Sequence, residues 1–567
     1  QRSQHPSPTG GGSLNGRARP QPLPQAPPPS GRSGHSPCPQ PWWGRPVQQR
    51  ACGLGAAMLL QALLGCQPPK PIGQVVVASR GNLDSVDPVD ITSFAGAQLL
   101  SAIGDPLYAS DASGGLHPHL ATALPILSAD GLTARIPLRR GVRFHDGTPF
   151  NAAALVFSLE RFRALGKQSY LLDDRITGMR VRGPYELELR LKRPYSSLAA
   201  LLSSSNLTPV SPTAYRSHRR SSLRNRFVGT GPYRLVNSSP QNTTLEPFAG
   251  YWGPAARNRG IHLITLSNST ALYGALLSGE VDVLLSQGLD SDQQRALAAR
   301  TDRGLLRQGI GPAVEIGYLT LLSDRAPLDQ PDLRQAIALS LDRRLISERV
   351  SYGMRMPLRS LIPPPLTGAL PPSWPGYNPQ RARQLLQRAG YCQGRRLSLP
   401  LTVRSNVPSD RLFGLTWQAQ LQRDLNDCLS LEISGVESTA AYRQLDKGVF
   451  PLILLDWAGD YPAPDVYLTP LLSCSRGIGE RCLEGSSVSF GSFWTAPGLQ
   501  QQLEKSEGLD GQARTRLLLE IQRRTARGGA YIPVWQVAPR AWTRPGLSTP
   551  QFDGSGRVLL QALSTHP

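Results

Sequence analysis

Acidic residues are missing altogether from the first 50 positions of this 567-residue chain, and lysine is scarce throughout, supplying five of 61 basic residues. Cysteine is nearly as rare, with seven in all and no C-x-x-C spacing, which argues against zinc-ribbon and thioredoxin-like chemistry. The eight histidines stand singly apart from His117 and His119, and neither an H-E-x-x-H pair nor a G-x-S-x-G elbow is present. Pro118 holds that histidine pair extended, with no cysteine or carboxylate cluster beside it in sequence. A hydrolase needs a nucleophile with a positioned base, or a metal, so no catalytic residue, metal site or cofactor is expected. No apolar run spans a bilayer comfortably and no repeat is visible, which excludes a permease and a solenoid.

What is present describes a globular protein of several parts. With 40% hydrophobic and 18% charged residues the bulk reads as soluble, and 567 residues exceed what one hydrophobic core organises, so two or three lobes are expected. Residues 1–50 carry 12 prolines and cannot bury enough apolar surface to offset the entropy of ordering; they read as disordered or as a mis-assigned start. The net charge of +21 invites a nucleic-acid reading. Its distribution opposes one. Only His218, Arg219, Arg220, Arg224 and Arg226 form a dense run, and no aromatic platform is interleaved with them, so no nucleic-acid partner is expected.

Arg50 precedes a 15-residue stretch, Ala51 to Gly65, that is apolar apart from Gln61 and small interruptions. A run of this length after a positive charge suits a signal-peptide core, and its ending Leu63-Leu64-Gly65-Cys66 resembles a bacterial lipobox. That resemblance implies lipidation of Cys66 and cleavage before it, with 51–66 as signal core and lipobox. Gln67, Pro68, Pro69, Lys70 and Pro71 cannot continue a helix and suit a tether over 67–73. Cys392, Cys428, Cys474 and Cys482 then remain as an even set compatible with two disulfides, most simply 474 with 482, or with free buried thiols.

Beyond the tether the pattern is mixed α/β. Gln74 to Ser79 reads as a strand, Ser93 to Leu107 as a helix, and Pro149 with Asn151 leads a helix whose Leu155, Leu159 and Phe162 share a face. Another helix is expected from about Asp332, with Ile337, Leu341 and Leu345 on one stripe. Leu187 to Leu191, Ile261 to Leu266 and Val281 to Leu285 read as strands between helices.

Several segments, taken in order, resemble the family 5 extracellular solute-binding proteins, the group with oligopeptide, dipeptide and nickel binders. They are Phe144-His145-Asp146-Gly147-Thr148-Pro149-Phe150, Gly229-Thr230-Gly231-Pro232-Tyr233, Tyr251-Trp252, Gly279-Glu280-Val281-Asp282, Leu333 to Ile337 with Leu341-Asp342-Arg343, and Tyr377-Asn378-Pro379 with Ala382 to Tyr391. The resemblance implies a two-lobed, Venus-flytrap (class II) periplasmic-binding-protein fold with an additional small domain. On this expectation 74–108 with 212–310 and 541–567 make lobe I, 109–211 the inserted domain, and 311–540 lobe II. It further implies a monomer held at the periplasmic face of the cytoplasmic membrane by its lipid, delivering a peptide-like ligand to an ABC permease and ATPase complex. A nickel chelate or another small solute is the alternative ligand.

Most of these motifs have structural readings. Gly229 and Gly231 suit backbone angles that other residues resist, and Asp146 suits a turn that caps the following helix or supports Gly147. The segment Trp457-Ala458-Gly459-Asp460-Tyr461-Pro462, after the strand-like run Val449 to Leu455, is similar to the family's ammonium-binding segment. Carried over, Asp460 would meet the ligand's ammonium, Trp457 and Tyr461 would wall the cleft, and Ala458 and Gly459 would let backbone come close. A capped turn for Asp460 and Asp465 and core packing for Trp457 are the plainer roles. Some peptide binders carry an arginine three residues before that tryptophan, where this chain has Leu454, and an asparagine where it has Leu322.

Overall fold

In a computed structural model, described over residues 73–81, 83–216, 226–366 and 370–565, the first β-branched run forms the strand Val75–Ser79. All described residues belong to the unit Lys70–Pro567. Cys66, the extension before it and the start of the tether lie outside the described residues. Val75–Ser79 is buried on both faces because it sits in the middle of a seven-stranded sheet, parallel to Ile261–Thr265 on one side and Val283–Leu285 on the other. Asn242–Pro247 and Tyr233–Ser238 extend the first side; Arg540–Thr543 and Arg307–Ile310 extend the second.

A second, six-stranded sheet runs in the order Arg355–Pro357, Tyr531–Val537, Glu315–Leu321, Leu452–Ala458, Leu397–Arg404, Leu429–Val436. A four-stranded antiparallel sheet comprises Ile126–Leu127, Thr133–Pro137, Glu186–Leu191 and Ile176–Gly183. The chain crosses between the two larger sheets twice, from Ile310 to Glu315 and from Val537 to Arg540. The crossings lie side by side, since Gly311 donates its N–H to the Pro539 carbonyl at 2.8 Å. Two short strands of backbone tied by a hydrogen bond are a hinge in form, because few dihedrals need change for the sheets to swing.

The helices follow their caps. Ser93 accepts from Gly96 N–H at 3.1 Å and opens Phe94–Ile103; Asn151 accepts from Ala154 N–H at 3.0 Å and opens Ala152–Leu165, whose Leu155, Leu159 and Phe162 are buried. Asn151 therefore caps that helix, and Asp146 does not. Asp146 accepts from Thr148 N–H at 3.0 Å and from Ser211 Oγ at 2.5 Å, steadying the turn in which Gly147 has φ +82°. The expected helix from Asp332 is two helices, Pro331–Leu339 and Arg343–Ser351. Asp342 interrupts it by accepting from the N–H groups of Arg344 and Leu345, both at 3.1 Å, so a residue inside the apolar period acts as an N-cap.

The glycine turn works by close approach rather than by unusual angles. Neither Gly229 nor Gly231 has a positive φ, yet a Cβ on Gly231 would lie 2.4 Å from the Ile103 carbonyl carbon. His145 clasps the same turn, its Nε2 donating to Gly231 O at 3.0 Å and its Nδ1 accepting from Gly229 N–H at 3.4 Å. Burial holds its pKa below the ordinary histidine value, in keeping with a neutral ring that donates once and accepts once. Of the two states left open for the four cysteines the structure has the disulfides: Cys474 joins Cys482 and closes the hairpin of Arg476–Ile478 and Arg481–Glu484, and Cys392 joins Cys428.

Candidate functional site

The strand-like run expected at Val449 to Leu455 is shifted: the strand is Leu452–Ala458. Pro451 has no N–H to give the ladder, so pairing starts with Leu452 opposite Leu321 and runs to Ala458 opposite Glu315. Leu454 faces Leu319 in this ladder and is fully buried, and Leu322 is buried just past it. Trp457 thus sits at the end of a central strand, its Nε1 donating to Val466 O at 2.8 Å and its ring edge-on to Phe490 at 5.4 Å. The chain then doubles back into the helix Asp465–Leu472. Gly459 is required by that return, because a Cβ there would lie 2.4 Å from Val466 Cγ2; its N–H donates to Tyr467 Oη at 3.0 Å.

A cavity of about 490 Å³ opens at this bend, walled by Trp457, Asp460, Tyr461, Asp465, Val466 and Phe490, and facing them Tyr170, Asp174 and Arg175. Its size falls in the range of small-molecule sites. The two walls come from chain segments almost 300 residues apart, and Asp460 joins them. One carboxylate oxygen accepts from Gln168 Nε2 at 2.9 Å and the other from Tyr170 Oη at 2.9 Å. Both donors are neutral, and among the described residues Asp460 has no cationic partner. Burial pushes its pKa above the ordinary aspartate value; the two hydrogen bonds oppose that rise without cancelling it.

The other acids at the cavity are differently placed. Asp465, 2% exposed, accepts from Tyr195 Oη at 2.5 Å, Ser197 Oγ at 2.8 Å and Arg514 at 2.7 Å. It lies in the first turn of its helix but makes no cap bond, so an ion pair replaces the capping role expected from sequence. Tyr461 belongs to this network, its hydroxyl 2.6 Å from that of Tyr195. Glu507, 1% exposed, holds Arg175 at 2.8 Å and Arg193 at 2.7 Å. Burial raises the Glu507 pKa even so. Asp174 is exposed at the rim.

Sequence reasoning had brought Trp457, Gly459, Asp460 and Tyr461 together because they are adjacent, and the structure sets three of them in the cavity wall with Gly459 beneath the bend. It missed Gln168, Tyr170, Arg175 and Tyr195, which lie in a short helix, a strand entry and a loop with no motif of their own. The only signal was polarity: Arg175 is a charged residue directly before the apolar start of Ile176–Gly183. His117 and His119 point to different carboxylates, Asp111 at 2.6 Å and Asp105 at 3.0 Å. Among the described residues no group of three or more His, Cys, Asp or Glu could hold a metal ion.

Comparison with known proteins places this geometry. The sequence profile described as bacterial extracellular solute-binding proteins, family 5 Middle, matches residues 115–479. The glutathione-binding protein GsiB of Salmonella choleraesuis (strain SC-B67) is 28% identical over 346 residues, covering 60% of this chain and 66% of that protein, so the match spans slightly less than two thirds of the relative. Among solved structures, a dipeptide binding protein from Pseudoalteromonas sp. SM9913 in complex with Met-Leu superposes with TM-score 0.72 at 22% identity, covering 87% of this chain and 99% of that one. NikA from Brucella suis in complex with Fe(III)-EDTA superposes with TM-score 0.75 at 20% identity over the same shares. The fold is accordingly the two-lobed α/β fold of periplasmic binding proteins.

Proposed function

The chain belongs to the family 5 bacterial extracellular solute-binding proteins, and from that premise we propose that it captures a peptide-like ligand bearing an ammonium group and hands it to an ABC permease. The observation that carries this reading is Asp460, a carboxylate on the wall of a 490 Å³ cavity with two neutral donors and no cation among the described residues. A carboxylate withdrawn from water is costly unless a charge meets it, so an ammonium there contributes affinity. It also favours the arrangement in which the walls are together, since Gln168 and Tyr170 on one side are hydrogen-bonded to Asp460 on the other. Trp457 and Phe490 add apolar area that tolerates varied side chains. Glutathione is the named ligand of the relatives and Met-Leu that of one structural neighbour, and both carry such an ammonium.

In this reading 74–108, 212–310 and 541–567 form one lobe, 311–540 the other, and 109–211 the inserted domain; the three sheets fall within these divisions once the last boundary is moved by one residue, because Arg540 already belongs to the strand Arg540–Thr543. Closure about the crossings at 311–314 and 538–539 creates the surface that the permease recognises, no bond is broken, and the protein acts as a monomer. Cys66 carries the lipid that keeps it at the periplasmic face of the membrane, its lipobox-like setting being the support. Native mass spectrometry of protein purified from its own envelope, followed by denaturation, tests the ligand: release of short peptides or an amino-acid conjugate is expected, and a sugar or an ammonium-free metal chelate would remove Asp460 from its role. Cys66→Ala is expected to move the protein out of the membrane fraction, read by fractionation and lipid labelling.

A further inference from the structure

We propose that Arg175 receives an anionic group of the ligand, so that the cavity selects short zwitterions with the ammonium on Asp460 and a carboxylate on Arg175. This rests on the reading of Asp460 given above. Arg175 lines the same cavity and is 8% exposed. Among the described residues its guanidinium makes one hydrogen bond, from Nη2 to Glu507, and its buried Nε has no partner. An arginine presents five donors in a planar fork, and a buried fork left mostly unused is a seat for a planar anion. The ring of Tyr195, 4.9 Å from the guanidinium carbon, sets the plane of that fork.

Charge balance points the same way. Glu507 is shared by Arg175 and Arg193, so one carboxylate faces two guanidinium groups. Asp465 also acts on Arg175 but is held by Arg514 at 2.7 Å, so the two buried carboxylates Glu507 and Asp465 stand among three guanidinium groups, of which that of Arg193 is 34% exposed. Asp174, the remaining acid on the wall, is exposed, where water screens it. Among the described residues the cavity therefore has two poles, the carboxylate of Asp460 without a cation and the guanidinium of Arg175 in a cluster that holds one guanidinium more than it has carboxylates. A zwitterion satisfies both at once, and a ligand with only one charged end leaves the opposite pole buried and unmatched.

Isothermal titration of wild type, Asp460→Asn and Arg175→Gln with Met-Leu, trialanine and glutathione tests this, each probe taken free, amidated at its carboxyl groups, and N-acetylated. In wild type, amidation is expected to weaken the best probe by about tenfold to a hundredfold. Arg175→Gln should bind acid and amide alike while N-acetylation still weakens binding. Equal affinity of wild type for acid and amide overturns the assignment of Arg175 and leaves Asp460 standing, as does an undiminished preference in Arg175→Gln. Equal affinity for free and N-acetylated probes overturns Asp460, and if no probe binds, both assignments fall. Should Arg175→Gln not fold, the wild-type comparison decides, and Arg175→Lys, which keeps the charge but not the fork, is expected to prefer the acid by a smaller factor.

Discussion

Asp460 and Asp465 stand five positions apart on one bend and open onto one cavity, yet their surroundings differ in kind. Asp465 is enclosed by two hydroxyls and a guanidinium supplied by two other chain segments. Among the described residues Asp460 is met only by an amide and a phenol, both neutral. The first arrangement is complete within the protein and joins the segment of Tyr195 and Ser197 to that of Arg514. The second is satisfied in hydrogen bonds but not in charge. In such a cavity the carboxylate already paired to arginine serves the framework, and the one lacking a cation is the one left for a ligand.

Exchanging the roles by mutation tests this distinction, and the largest effect is expected at Asp465. Asp465→Ala strands Arg514, whose side chain is 14% exposed, and should cost about 3–5 kcal/mol of stability, measured by urea unfolding. Asp460→Asn should do the opposite, leaving stability of the ligand-free protein unchanged or higher while weakening an ammonium-bearing ligand by about 1–3 kcal/mol in calorimetric titration. Comparable stability losses in the two variants would erase the difference between the acids.

The pH dependence sharpens it further. Because the folded pKa of Asp460 is raised, its contribution to ligand-free stability is present below the ordinary aspartate value and lost as pH rises through the raised one. Relative to Asp460→Asn, wild type should lose stability across that window, followed by thermal unfolding at a series of pH values. Affinity for an ammonium ligand should rise across the same window, since binding needs the ionised carboxylate. The smallest effect is that of Tyr170→Phe: the phenol favours ionised Asp460, so its loss should move the midpoint of the affinity profile to higher pH, seen by titration at several pH values.

Much of the fold was legible because it rests on local chemistry. The burial of Val75–Ser79 on both faces shows as an unbroken β-branched run, and the caps at Ser93 and Asn151 show as polar residues ahead of apolar periods. The errors were local rules overridden. Asp342 broke a helix whose apolar period continued through it, and Pro451 delayed a strand whose hydrophobicity began earlier. At the candidate site, the residues on the bend were legible since they are contiguous. Gln168, Tyr170 and Arg175 were not, because nothing in a short polar stretch says which distant carboxylate it will meet.

The sequence alone determined the family resemblance, the α/β class and the bend from Trp457 to Pro462, all of which follow from residue order and period. Tertiary structure decided which acid is spoken for. Asp460 and Asp465 carry the same side chain in the same neighbourhood of the chain, and only the arrival of Arg514 at one and of Gln168 with Tyr170 at the other separates their charges. Electrostatic partnership acts over a few ångströms of space, and folding sets those distances independently of separation along the chain.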